Sequence, residues 1–126
     1  MIPRSAAIAA LVALALSPPA GAAAGDAAQG AEIYQRCIAC HALDRNRTGP
    51  KHCGLFGRRA GSVPGFAYSK AMKGSGIIWD EATLDRFLEN PLKAVPGTKM
   101  GYAGVKDAKE RADLIAYLKA ASADPG

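Results

Sequence analysis

Two cysteines and a histidine occur within five residues, in the motif Cys37-Ile38-Ala39-Cys40-His41, and any fold of this chain must hold them close together. On a turn of helix, residues i and i+3 share a face, so the Cys37 and Cys40 thiols project side by side. Such a pair can bond the two vinyl groups of one porphyrin, while the His41 ring reaches the iron as its proximal ligand. The motif therefore predicts one covalently attached haem.

Other chemistries also use a Cys-x-x-Cys pair. A redox dithiol is expected in a βαβ context, and the chain shows no such pattern. A zinc site needs four ligands, which Cys37, Cys40, His41 and either Cys53 or His52 can supply. A disulfide between Cys37 and Cys40 closes only a tight loop, and three cysteines do not make a disulfide framework. An export signal followed by helices and loops favours haem over these alternatives.

The first 24 residues have the layout of a secretory signal peptide. The basic residue Arg4 precedes an apolar run over positions 6–16, and a proline pair and a string of small residues follow. The run is shorter than the roughly 20 residues that span a bilayer. Cleavage fits after Ala22 or Ala24, and we expect it after Ala24. Residues 1–24 then form the signal peptide, and residues 25–126 form one periplasmic domain with no transmembrane segment.

The net charge of the chain limits the classes of partner that it is expected to bind. Its net charge is +5, and removal of Arg4 lowers this to +4. The basic residues are scattered and no aromatic platform interleaves them, so nucleic acid is not expected as a partner. A modest positive charge favours docking to acidic protein surfaces. The loop lysines that could surround an exposed cofactor edge are Lys51, Lys70, Lys93, Lys99 and Lys106.

Helical spacing of small and apolar residues predicts a first helix over positions 26–36, with Asp26 as its N-cap. Gly30 lies inside it, and a glycine there indicates that another helix crosses closely. Positions 69–73 fit a single helical turn ended by Gly74. Asp80 is the expected N-cap of a helix over positions 81–89, which Asn90-Pro91 ends.

The last helix starts at Asp107, with Glu110 completing a capping-box-like pattern. Its predicted buried face carries Ala108, Arg111, Leu114, Ile115 and Leu118. Positions 43–64 are rich in glycine and proline and are predicted to form a long loop. Loops of that length are unusual in a compact domain unless they serve a function. The pattern predicts an all-α fold of a few helices whose loops pack on a central cofactor.

A sixth iron ligand must come from the remaining side chains. Met100 lies in a Pro/Gly-rich loop between two helices, where it can fold over a flat cofactor. Met72 is interpreted as core, the usual role of methionine. The residues by themselves favour Met100 and leave His52 as an alternative.

Several further motifs follow Cys37–His41 in order: Thr48-Gly49-Pro50, Gly54-Leu55-Phe56-Gly57-Arg58, Pro64-Gly65-Phe66-Ala67-Tyr68-Ser69, Trp79, Asn90-Pro91, Pro96-Gly97-Thr98-Lys99-Met100, Ala103-Gly104 and the stretch 111–118. Together they span about Gly30 to Lys119 and resemble the class I cytochromes c, the mitochondrial type and its bacterial periplasmic relatives. The resemblance implies the small cytochrome c fold, wrapped around one haem c.

The resemblance also implies a role for each site residue. Met100 matches the axial methionine, and a His/Met pair is the ligand set that raises the potential in cytochromes c. Pro50 matches the proline whose carbonyl accepts the ring proton of the ligand histidine. The residues that match those hydrogen-bonding or flanking the haem propionates are Arg58, Tyr68, Ser69, Trp79 and Thr98.

The chain departs from the family pattern at four places. Phe87 stands where many relatives have Tyr, Met72 where Asn is common, and Tyr102 where Phe is common. His52-Cys53 replaces a pair that usually begins with an apolar residue. We expect His52 to be hydrogen-bonded within its loop and Cys53 to be a buried thiol.

The function that the resemblance implies is single-electron transfer by a soluble monomer, which is not an enzyme. Its partners would be the acidic surfaces of a reductase, an oxidase, a reaction centre or a dehydrogenase, as in a respiratory chain. Two alternatives remain. The chain could be a haem subunit of a periplasmic oxidoreductase, or a small haem peroxidase or ligand sensor if Met100 detaches readily.

Overall fold

The fold consists of short helices joined by long loops. The computed structural model describes residues 1–3, 10–15 and 24–123. The helices in these ranges are α1 (Ala27–Tyr34), α2 (Lys70–Lys73), α3 (Glu81–Glu89), α4 (Pro91–Ala94) and α5 (Ala108–Ala121). The same ranges contain no strand, only an isolated antiparallel bridge between Arg59 and Ile78. The predicted all-α class is therefore confirmed.

Most of the predicted signal peptide, including the cleavage position after Ala22, lies outside the described residues. Within the part of the chain that is described, no helix is both long and apolar enough to cross a membrane.

Helices α1 and α5 pack against each other at Gly30, as the glycine indicated. A Cβ on Gly30 would fall on the backbone oxygen of Asp113 and 2.7 Å from the Cβ of Tyr117. Asp26 caps α1 by accepting hydrogen bonds from the amides of Ala28 and Gln29. The close crossing brings the end of α1 onto the middle of α5.

Asn90 has two functions, of which the sequence analysis identified one. It ends α3, as predicted, but its side chain also accepts a hydrogen bond from the Lys93 amide and so begins α4. Pro91 occupies the first turn of α4, where a missing amide hydrogen costs nothing. The Asn-Pro pair thus separates two helices, and the prediction of a simple stop was incomplete.

The start of α5 also differs from the expected capping box. Asp107 accepts a hydrogen bond from the Glu110 amide, as expected. The Glu110 carboxylate instead binds Arg36 at 2.8 and 3.0 Å, beyond the end of α1. The Glu110 side chain, which the local pattern assigned to the helix cap, therefore forms an ion pair with Arg36 instead.

The core lies between α1, α3 and α5. Leu114 is 1 % exposed, and its buried neighbours include Tyr34, Leu84 and Leu88. Two charged residues of α5 are also buried, Arg111 and Asp113, of which the periodicity indicated only Arg111. The three helices form one wall of a cavity, and the loops together with Met72 of α2 form the rest of its lining.

Candidate functional site

All ten residues predicted for the site line one cavity. They come from segments far apart in sequence: Cys37, Cys40, His41, Pro50, Arg58, Tyr68, Ser69, Trp79, Thr98 and Met100. The lining between them is mainly apolar and includes Leu55, Phe87 and Leu114. The fold therefore brings the separate motifs together around a single space.

The turn that follows α1 places the two thiols and the imidazole together. The amides of Cys40 and His41 both donate to the carbonyl of Cys37, at 3.1 and 2.9 Å. Cys40 is exposed, whereas burial raises the pKa of the half-buried Cys37 thiol. Among the described residues, no three His, Cys, Asp or Glu side chains are grouped to hold a metal ion, so the zinc alternative finds no support.

His41 is held by the loop that follows it. Its Nδ1 lies 2.9 Å from the carbonyl oxygen of Pro50 and donates to it. A proton on Nδ1 leaves the lone pair of Nε2 available as a metal ligand. A Cβ on Gly49 would overlap the His41 ring, so only glycine lets this loop approach. Burial lowers the pKa of His41, which favours the neutral form that ligation needs.

His52 lies against His41, an arrangement that the sequence analysis did not foresee. The two rings stack with centroids 4.1 Å apart and planes 19° apart. The His52 Nδ1 lies 3.0 Å from the Tyr34 hydroxyl, so its partner is in α1 rather than within its own loop. A ring stacked on the His41 ring lies on the same side of the site. This position does not suit a sixth iron ligand, which would have to approach from the side opposite His41.

Met100 enters the cavity from the loop between α4 and α5. The Thr98 hydroxyl accepts a hydrogen bond from the Met100 amide at 3.3 Å, and the Thr98 amide donates to Val95. These bonds fix the backbone that carries the thioether. Met72 also borders the cavity, but it is 9 % exposed and belongs to the core cluster, as predicted.

A cation lies in the cavity wall among hydroxyl groups. Arg58 donates to the backbone oxygens of Cys53 and Lys51, at 3.1 and 3.0 Å. Its Nε is buried without a hydrogen-bond partner among the described residues, and burial lowers the pKa of the guanidinium. An anion in the cavity would stabilise such a half-buried cation.

The hydroxyls of Tyr68 and Ser69 accept backbone hydrogen bonds, from the amides of Val63 and Met72. An accepting hydroxyl keeps its own hydrogen, which it can donate. Both residues line the cavity, as Arg58 does. Carboxylates in the cavity would therefore find donors and a positive charge.

These features fit haem c. The site offers two adjacent thiols, a neutral imidazole with an available nitrogen, a thioether, apolar walls, and a cation with an N–H that has no partner in the described part of the chain. Porphyrin vinyl groups, iron and propionates need this combination of bonding groups.

Comparison with known proteins gives a consistent result. Residues 27–122 match the family described as Cytochrome c. The chain is 47% identical over 108 residues to cytochrome c2 of Blastochloris viridis, covering 83% of this chain and 85% of that protein. It is 49% identical over 98 residues to cytochrome c of Euglena viridis, covering 75% and 96%.

A solved structure, cytochrome cH from Methylobacterium extorquens, has the same fold. Its TM-score is 0.74 at 46% sequence identity, and the match covers 76% of this chain and 99% of that one. The family match spans most of the chain, and the helices, loops and cavity agree with it. The chain therefore belongs to the cytochrome c family, has the cytochrome c fold, and is an electron carrier that binds haem c.

Proposed function

We propose that this chain is a soluble, exported, monomeric carrier that moves single electrons between redox proteins through a His/Met-ligated haem and catalyses no reaction of its own. The observation that carries the proposal is the presence of His41 and Met100 in one cavity with the two thiols. Two protein ligands fill both axial positions of a haem iron. A filled coordination sphere suits electron transfer better than the binding of a substrate.

Each residue has a defined part in this proposal. Cys37 and Cys40 would form the covalent bonds to the haem, and His41 and Met100 would hold its iron. Pro50 orients His41 by accepting the Nδ1 proton, and Thr98 fixes the backbone of Met100. Haem c supplies an iron that changes by one electron between its ferrous and ferric states.

The polar wall of the cavity would hold the propionates. Arg58 supplies the charge, and Tyr68, Ser69, Thr98 and Trp79 supply donors or contacts. Because carboxylates inside a small protein are costly unless they are paired, this wall decides which way the haem enters.

Export by residues 1–24 places the carrier in the periplasm, where it meets a reductase, an oxidase, a reaction centre or a dehydrogenase. Lys99 lines the cavity and is exposed. Lys70 and Lys93 are also exposed, but they lie in helices α2 and α4 rather than in loops as expected. Positive charge near the cofactor would attract acidic partner surfaces and speed docking. A role as a haem subunit of a periplasmic oxidoreductase would use the same surface.

One observation favours a second function, that of a haem peroxidase or ligand sensor. Phe87 is 6 % exposed, lines the cavity and has no hydroxyl to bind the Met100 sulfur. A weakly held thioether would open the iron to ligands. Rapid binding of carbon monoxide by the reduced native protein would support this function, and its absence would support the carrier.

The test of the main proposal is the visible spectrum of the exported protein, oxidised and reduced, combined with its mass. We expect a low-spin c-type spectrum, a mass increased by one haem, and an N-terminus at Gly25. Substitution of Cys37 and Cys40 by Ser should abolish the covalent mass. A native protein without covalent haem would overturn the proposal.

A further inference from the structure

Three rings form a column behind the ligand histidine. The Tyr34 ring lies 5.7 Å from the His52 ring, and the Tyr34 hydroxyl lies 3.0 Å from the His52 Nδ1. The His52 ring in turn lies flat against the His41 ring, at 4.1 Å. The column connects α1 to the proposed axial ligand.

The far end of the column is buried between α1 and α5. Tyr34 is 4 % exposed, and its ring lies 5.1 Å from that of Tyr117 on α5. Burial raises the pKa of Tyr34 to about 12, so its hydroxyl keeps its proton and can donate to His52. The α1–α5 crossing therefore fixes the position of the Tyr34 oxygen, and that oxygen fixes one nitrogen of His52.

At the near end of the column, the His52 ring restricts rotation of the His41 ring plane, which the hydrogen bond to Pro50 does not. A single hydrogen bond from Nδ1 to a carbonyl sets the direction of one ring atom, but it lets the ring plane rotate about that direction. A second aromatic ring in face contact opposes this rotation, because tilting either plane separates the stacked surfaces. An aliphatic side chain at position 52 would fill the space without a flat face and without an anchor to Tyr34.

We propose that His52 is a positioning residue that sets the plane of the His41 imidazole, with Tyr34 as its anchor. The inference rests on the proposed role of His41 as axial ligand. Outer partners of a ligating histidine orient its ring and tune the metal. Pro50 would thus select the tautomer of His41, and His52 would select the angle of its plane relative to the porphyrin.

The orientation of an axial imidazole controls how unpaired spin is distributed over a ferric porphyrin. The paramagnetically shifted NMR signals of the four haem methyl groups report that distribution. These signals therefore respond to the ring plane in the intact holoprotein, together with the orientation of the Met100 thioether, independently of any electron-transfer rate.

The experiment compares five single variants of the holoprotein with the wild type by NMR of the ferric state and by the reduction potential. His52→Leu removes both the ring and the anchor, and His52→Asn keeps a polar group without a ring. Both should change the order or the spread of the haem methyl signals and shift the potential. His52→Phe keeps a ring face but loses the hydrogen bond to Tyr34, so it should retain the wild-type order with a shift no larger than that of Tyr34→Phe.

Tyr34→Phe removes only the anchoring hydroxyl and should move the methyl signals in the same sense as His52→Leu, by a smaller amount. Tyr117→Phe is the matched control, because it removes a hydroxyl from the same ring cluster without touching His52. It should leave the signals unchanged.

A His52→Leu protein with wild-type methyl signals and potential would overturn the inference. If that variant does not accumulate with haem, Tyr34→Phe decides, and signals identical to those of Tyr117→Phe overturn the inference equally. Failure of the proposed function looks different, since the wild-type protein itself would then lack the low-spin spectrum of a His/Met haem.

Discussion

Side chains at this site are held mainly by backbone atoms. His41 donates to the carbonyl of Pro50, Arg58 donates to two carbonyls, and the hydroxyls of Ser69 and Thr98 accept from amides. Backbone partners do not depend on the identity of a second side chain. The geometry around the proposed ligands therefore depends on the course of the loops, and the His52–Tyr34 pair is an exception to this pattern.

Replacement of Met100 by Leu should remove the sixth ligand while keeping the volume. Because leucine cannot coordinate iron, the reduced variant should bind carbon monoxide quickly and its potential should fall. Stability should change by less than about 1.5 kcal/mol from packing alone. Flash photolysis with carbon monoxide and a redox titration measure both effects.

The matched control is Met72→Leu, the same exchange at a buried methionine that also borders the cavity. It should leave carbon monoxide binding as slow as in the wild type. Equal reactivity of the two variants would mean that Met100 is not the ligand.

At the scale of elements, the α1–α5 crossing depends on the missing side chain at Gly30. Gly30→Ala should destabilise the protein by about 1–3 kcal/mol, because the new methyl group overlaps Asp113 and Tyr117 and forces the helices apart. Helix propensity alone predicts the opposite, a gain of about 1 kcal/mol. Denaturant unfolding of the holoprotein measures whether the substitution raises or lowers the free energy of unfolding.

Gln29→Ala is the control, since Gln29 is exposed on the same helix. It should leave the free energy of unfolding nearly unchanged. A Gly30→Ala variant that is as stable as this control would show that the two helices can separate without cost.

Asp113 joins the same two helices through its carboxylate. It is 4 % exposed and accepts hydrogen bonds from the Lys109 ammonium at 2.8 Å and from the Asp26 amide at 2.7 Å. The Lys109 ammonium, with the Asp26 amide, lowers the pKa of Asp113. A carboxyl whose folded pKa is depressed stabilises the fold above its unfolded pKa of about 3.9 and loses that contribution as the pH falls further.

We therefore expect the free energy of unfolding to fall as the pH drops below about 4, with a smaller slope in Asp113→Asn. Glu110 and Asp80 also have lowered pKa values, so part of the slope should remain in the variant. Denaturant unfolding at several acidic pH values gives the two slopes. Identical slopes would assign the acid sensitivity to the other carboxyls.

At the scale of the whole molecule, the net charge, which is +5 for the full sequence and +4 without Arg4, should make electron transfer depend on salt and on the charge of the partner. Added salt should slow oxidation of the reduced protein by ferricyanide, an anion, and should speed oxidation by a cationic cobalt complex. Stopped-flow kinetics at several ionic strengths measures both trends.

A comparison of two lysine variants separates the effect of a charge at the cavity from the effect of the net charge of the molecule. Lys99→Gln removes a charge at the cavity, whereas Lys119→Gln removes one that pairs with Glu81 between α5 and α3. The first should weaken the salt dependence with ferricyanide more than the second. Equal effects would mean that only the net charge matters.

Local patterns in the sequence determined the helix caps and the turn that carries the thiols. Asp26, Asp80 and Asp107 are N-caps as predicted, because a cap is set by a side chain and the amides two or three residues away. The motif from Cys37 to His41 forms the expected turn for the same reason, since its hydrogen bonds close within four residues. The ordered motifs sufficed to predict the family and the fold, and the ten predicted site residues line one cavity.

Only the tertiary structure decided which distant side chains meet. The Glu110 carboxylate binds Arg36 instead of completing the predicted cap. The buried Asp113 accepts a hydrogen bond from the Asp26 amide. The His52 ring stacks on His41 and forms a hydrogen bond with Tyr34. Each of these contacts joins residues that are far apart along the chain, and no local spacing encodes their distance. The contacts of Glu110 and Asp113 depend on how closely α1 and α5 cross, and Gly30 permits that approach without specifying which side chains it brings together.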